Sequence, residues 1–216
     1  MMRVAEVTRK TKETDITIKL AIEGTGEAKL VYPIGFMAHM LNTFARHGLF
    51  DLEITASGDL EVDQHHLVED TGIVLGQCFA KALGEKRGIR RSGSCLFPMD
   101  ETLARAVVDI SGRPYLVFEA DLSGFPLISA PVPGSELVGG VAWPGVASFQ
   151  TDTAHDFWQG FVSAAGITLH LDILRGRSCH HKLEAIFKAA GCAFREACAI
   201  DPGSPDIIPS TKGVLV

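Results

Sequence analysis

One pattern, HHxxE, occurs twice in this chain, as His65-His66-Leu67-Val68-Glu69 and His180-His181-Lys182-Leu183-Glu184. With 8 His in 216 residues, chance gives roughly 0.02 such matches per chain. Each copy opens a helix that closes the same series of elements. In the first half, residues 15–24 alternate apolar and polar with a β-branched bias, as a half-buried strand does. Pro33 introduces a helical run over 35–47, stopped by Gly48. Residues 50–57 alternate again and end at Gly58-Asp59. From His65 to Leu83 the apolar residues Val68, Leu75, Phe79 and Leu83 fall at helical spacing, and Gly84 closes the helix. In the second half, 102–110 and 115–120 read as strands joined by a Ser-Gly-Arg-Pro turn. Residues 153–165 read as a helix, 167–173 as a strand and 179–198 as a long helix with Leu183, Ile186, Phe187 and Phe194 on one face. Helix, strand, glycine turn, helix therefore occurs twice. The economical reading is an internal duplication with repeats 1–86 and 87–216.

The histidine pairs carry chemistry as well as periodicity. On a helix, positions i and i+4 share a face, so His65 with Glu69 can hold one metal ion, as can His180 with Glu184. The adjacent residue is rotated by about 100° and cannot easily join them. His66 and His181 must therefore serve something else. The simplest arrangement is a pseudo-twofold in which each long helix gives two ligands to one ion and one histidine to the other. That predicts two divalent ions per chain. Imidazole and carboxylate without cysteine suit Mn, Fe or Zn, and open coordination positions favour Mn or Fe. A further ligand for each ion is expected from the shorter helices. It is His39 in the first half, and His155 or Asp156 in the second, where spacing from the shared glycine favours Asp156. His47, at a helix end where a cation is favoured, and His170, mid-strand and read as packing, have weaker cases.

Composition narrows the class. At 46% hydrophobic and 21% charged, the chain is too apolar to be disordered, and no run of about 18 apolar residues is free of charges or breakers, so no membrane span is expected. A net charge of −6 argues against general affinity for nucleic acid or anionic lipid. Any anionic ligand then needs a local cluster of Lys and Arg. Five scattered cysteines without a CxxC pair, and an N-terminus charged too early for a secretory signal, point to reduced thiols in the cytoplasm. Residues 121–150, with four Pro and five Gly, are long for a connection inside a domain. They read as a surface loop or, more sharply, as a flap or oligomer contact.

With these motifs in place, the sequence resembles the imidazoleglycerol-phosphate dehydratases nearly end to end. The resemblance runs through Thr11-Lys12-Glu13-Thr14, Gly35-Phe36, His39-Met40-Leu41, His47-Gly48-Leu49-Phe50-Asp51 and Gly58-Asp59. It continues through Asp63 with the first HHxxE, Pro98-Met99-Asp100-Glu101, Ser111-Gly112-Arg113-Pro114, Thr168-Leu169-His170 and the second HHxxE. It ends with Phe187-Lys188 and Pro209-Ser210-Thr211-Lys212-Gly213. It implies an α+β fold, a duplicated unit of the ribosomal protein S5 domain 2 type, with helices of both halves between two mixed sheets. It further implies an octahedral 24-mer of identical chains, with dimanganese sites between subunits completed by ligands from neighbours. Departures from the family pattern are Ala38 where Asp is usual, Ser178 where Asn is usual, Ser92 in place of an aromatic, Asp156 in place of His or Glu, and the long 121–150 segment.

The implied reaction removes water from imidazole glycerol phosphate to give imidazole acetol phosphate in histidine biosynthesis, without redox. Metal ions on both ring nitrogens would stabilise an imidazolate that expels the neighbouring hydroxyl. Glu13 is the implied general acid/base, and Arg91, Arg113, Lys188, Ser210 and Lys212 the implied phosphate-binding residues. Two alternatives are an enzyme of this family with an altered substrate and a catalytically silent, metal-bound assembly subunit. Retention of Glu13 and the phosphate residues weighs against the silent form, which needs neither.

Overall fold

A computed structural model describes residues 2–122, 127–129 and 148–215. The flap or contact reading of 121–150 falls largely outside the described residues. The first half runs β1 (Val4–Lys10), β2 (Thr14–Ala21), β3 (Ala28–Val31), α1 (Gly35–Gly48), β4 (Asp51–Gly58) and α2 (His65–Leu83). The second runs β5 (Ser92–Met99), β6 (Thr102–Asp109), β7 (Tyr115–Glu119), β8 (Leu127–Ser129), β9 (Ser148–Gln150), α3 (Thr153–Ala165), β10 (Thr168–Arg175) and α4 (Cys179–Cys198). The strands form two mixed four-stranded sheets, ordered β1-β2-β4-β3 and β5-β6-β10-β7, with β8 and β9 as a separate ribbon. In each large sheet the first two pairings are antiparallel and the last is parallel. No helix among the described residues is long and apolar enough to cross a membrane.

In the two large sheets the sequence reading misses β1, β3 and β5, and all three are edge strands; β8 and β9 fall in the segment read as a loop. An edge strand needs only one apolar face, so β1 can carry Glu6, Arg9 and Lys10, and β5 tolerates Pro98, which has no N–H to donate, because one side of an edge strand makes no ladder hydrogen bonds. Two further expectations are corrected. Gly48 is the last residue of α1 rather than its stop, because a Cβ there would lie 2.3 Å from the Phe50 ring; Leu49 takes the left-handed cap at φ 54°. The Ser-Gly-Arg-Pro turn joins β6 to β7 as read, and the two strands are not neighbours, since β10 lies between them. His170 is exposed on the outer face of its sheet rather than packed.

The long helices lie on their own sheets, α2 on β1 and β2, α4 on β5 and β6, while each short helix packs on the long helix of the other half, α1 on α4 and α3 on α2. Glycine makes both crossings close. A Cβ on Gly72 would stand 2.1 Å from the Phe157 carbonyl oxygen, one on Gly76 2.4 Å from that of Phe161, and one on Gly191 2.6 Å from that of Phe44. Phe44 of α1 meets Phe79 of α2, Trp158 and Phe161 of α3, and Phe194 of α4, so one aromatic cluster ties all four helices together. This crossed packing sets short-helix residues of one half beside long-helix residues of the other.

Candidate active site

His39 of α1 meets the second histidine pair at the start of α4. Its Nε2 lies 3.4 Å from Glu184 Oε2, and His180 Nε2 lies 3.0 Å from the same oxygen. One ligand atom from each of these three residues falls within 4.8 Å of the others. Three donors converging on one point, two imidazoles and a carboxylate, fit a divalent first-row metal with positions left open. Glu184 is buried, and burial pushes its carboxyl up, but hydrogen bonding from Lys188 at 2.8 Å, with His39 and His180, outweighs this and holds it below the usual range. It is therefore an anion at neutral pH, as a ligand must be.

The other half repeats the arrangement less tightly. His65 faces Glu69 through Nε2 at 3.6 Å and Asp156 through Nδ1 at 3.3 Å. The residue types suit the same ion, although the three do not converge through single atoms as the first set does. Asp156 rather than His155 reaches His65; His155 lies 3.6 Å from the other Asp156 oxygen and packs edge-on against Phe118. Gln64, just before α2, is buried and bonds both Ser148 and Gln150, which fixes β9 beside this cluster.

The ring planes within each pair stand nearly perpendicular, and His66 and His181 join neither cluster. The expected exchange of these histidines inside one chain is therefore not found among the described residues. Each is instead held by a carboxylate at Nδ1: His66 by Asp59 at 3.0 Å and His181 by Glu101 at 2.8 Å. The Asp59 contact pushes the His66 ring up, and the Ser178 amide followed by the His181 ring holds Glu101 well below the usual carboxylate range. Glu13 sits in the turn between β1 and β2, exposed, and its carbonyl accepts from the Asp59 amide. Buried Asp70 of α2 anchors that turn by bonding Thr14 and Arg9.

Of the expected phosphate residues, Arg91, Arg113, Ser210 and Lys212 line one cleft of about 470 Å³ together with Ser111 and Thr211. Arg91 is bidentate to Asp109 and donates to the Pro209 carbonyl, so it also ties down the C-terminal tail. Lys188 lies apart from this cleft, on Glu184 and over the Phe97 ring at 5.5 Å. His47 packs edge-on against the same ring. Burial, then Lys188, lowers the His47 pKa, so it is not the helix-end cation expected.

The family model described as imidazoleglycerol-phosphate dehydratase matches residues 33–194. Imidazoleglycerol-phosphate dehydratases of Paraburkholderia xenovorans and Lacticaseibacillus casei are 49% and 50% identical over 214 residues, 99% of this chain and 100% of each relative. The chain belongs to the imidazoleglycerol-phosphate dehydratase family. Solved structures agree: the Staphylococcus aureus enzyme superposes with a TM-score of 0.73 at 36% identity, covering 92% of this chain and 99% of that one. The Pyrococcus furiosus enzyme gives 0.74 at 32%, covering 97% and 100%. Against the family pattern, Ser178 keeps a capping role, accepting from the His181 amide at 3.3 Å as the usual Asn can. Asp59 and Glu101, by contrast, acquire a role that sequence reasoning missed. The signal was present in Glu13-Thr14, which recurs as Glu101-Thr102 before the corresponding strand.

Proposed function

We propose that this chain removes water from imidazoleglycerol phosphate, giving imidazole acetol phosphate, in histidine biosynthesis. The observation that carries the reading is the converging His39, His180 and Glu184 set in a chain of this family. His39, His180 and Glu184 would hold one ion, and His65, Glu69 and Asp156 a second. When bound, the ions, manganese by our assignment, supply Lewis-acid stabilisation of negative charge on the substrate's imidazole ring. Buried Glu184 stays ionised for its ion, and Lys188 balances the charge. His66 and His181 would complete the sites of neighbouring chains, which is supported by their separation from both clusters and their Nδ1 anchors. A shared site calls for a symmetric homo-oligomer, the octahedral 24-mer by our reading.

Glu13 is our candidate proton shuttle. It is exposed and its charge acts on the half-buried His66 ring, so it can act on substrate held by the adjoining chain. Arg113, Ser210 and Lys212 would bind the phosphate, with Arg91 shaping the cleft; Arg113 and Lys212 pair with no carboxylate among the described residues. Lys188 would reach the same phosphate only from another chain's site. The shared strand order of the two large sheets supports a duplicated S5 domain 2-like unit, with repeats 1–86 and 87–216. The free cysteines suit a cytoplasmic enzyme.

The test is turnover. Purified protein supplied with Mn should convert imidazoleglycerol phosphate to a product lighter by one water, read by mass spectrometry, and His180→Ala should abolish it. Absence of conversion by correctly assembled wild-type protein would refute the assignment.

A further inference from the structure

The two halves solve one problem with different residues. Glu13 and Glu101 occupy the same place: each lies in the hairpin between the first two strands of its sheet, followed by a buried threonine, Thr14 or Thr102. Each lies against the glycine that leads to the long helix. Thr14 is in register with Gly58, and a Cβ on Gly176 would stand 2.6 Å from Thr102 Oγ1. The residue after that glycine differs, being Asp59 in the first half and Arg177 in the second.

That difference redistributes the work. In the first half Asp59 takes His66 Nδ1, at 3.0 and 3.3 Å. Among the described residues, the Glu13 carboxylate is left without a hydrogen bond or ion pair. In the second half Arg177 cannot accept. Glu101 does so instead, taking the Arg177 and Ser178 amides at 3.1 and 2.8 Å on one oxygen and His181 Nδ1 at 2.8 Å on the other. A carboxylate only accepts, so in each ring Nδ1 carries the proton and the Nε2 lone pair is left for an outside partner.

We propose that Asp59 and Glu101 are the positioning residues that fix His66 and His181 for metal binding, and that Asp59 frees Glu13, the counterpart of Glu101, for proton transfer. This rests on the two-ion reading above.

The experiment titrates chelated, reassembled protein with Mn and measures stoichiometry, affinity and the Mn electron paramagnetic resonance spectrum. Asp59→Asn and Glu101→Gln should each weaken roughly half of the bound Mn by about 10–100-fold and alter its spectrum. Glu13→Gln should bind Mn as wild type does. Asp59→Glu and Glu101→Asp, which keep the carboxylate, should recover much of the loss and so separate positioning from folding. Wild-type affinity in both amide variants, beside a wild type that binds two ions, overturns this inference alone. Equal loss in Glu13→Gln also overturns it, because Glu13 would then be a support like Glu101. A wild type that binds no Mn overturns both this inference and the two-ion reading.

Discussion

Glu13 differs from the other acidic groups of the site in having nothing to hold. Asp59, Asp70, Glu101 and Glu184 are each engaged by a histidine, lysine, arginine, hydroxyl or backbone amide, whereas Glu13 is exposed at a hairpin tip anchored by Asp70. Glu13→Gln should therefore leave Mn content and oligomer size intact while kcat falls by about 10² or more, the usual share of general acid/base catalysis. Unchanged kcat would remove it from proton transfer. A second carboxylate tests stability rather than chemistry. Asp51 accepts from the amides of Thr25, Gly26 and Glu27, and the Thr25 amide is the largest cause lowering its pKa. A depressed folded pKa stabilises above the unfolded value, near 4, and that gain is lost as pH falls through the folded value. Asp51→Asn should thus cost about 1 kcal/mol at pH 7, with the melting difference from wild type shrinking below about pH 4. A difference that stays constant across this range would contradict the assignment.

Helices decide which side chains meet. The crossing of α2 on α3 sets Asp156 beside His65, and it rests on Gly72 and Gly76. Gly72→Ala would press a methyl against the Phe157 carbonyl and force the helices apart. We expect a loss of about 2 kcal/mol, the usual range for overpacking, read as a melting point lower by roughly 4–8 °C, with weaker Mn binding at the His65 site. Wild-type stability would mean that the crossing relaxes freely. The long helices were legible in sequence because their apolar spacing spans four or more turns, and HHxxE marks their starts. Of the four edge strands of the large sheets only β7 was legible; β1, β3 and β5 were not, since one wet face dilutes the alternation. Nor was the pairing of His39 with Glu184 legible, because it depends on α1 packing on the other half's helix, and no local pattern records a crossing made by Gly191. Resemblance supplied Glu13 and the phosphate residues. The separation of Lys188 from their cleft needed coordinates.

At the scale of the whole molecule, the proposal makes the active site a property of the assembly rather than the chain. Two inactive variants, His66→Ala and His180→Ala, should complement when co-assembled, because some sites then receive every ligand from intact positions. Random mixing restores about a quarter of the sites, whereas sites complete within one chain would regain none. The most direct measurement of the central claim joins metal content to turnover in one sample. Protein stripped by chelator and titrated with Mn should regain imidazoleglycerol-phosphate dehydration in proportion to bound metal, reaching full rate at two ions per chain, with binding weakening towards acid pH as the histidines protonate. Full activity in the stripped protein, or saturation at one ion or fewer per chain, would contradict it.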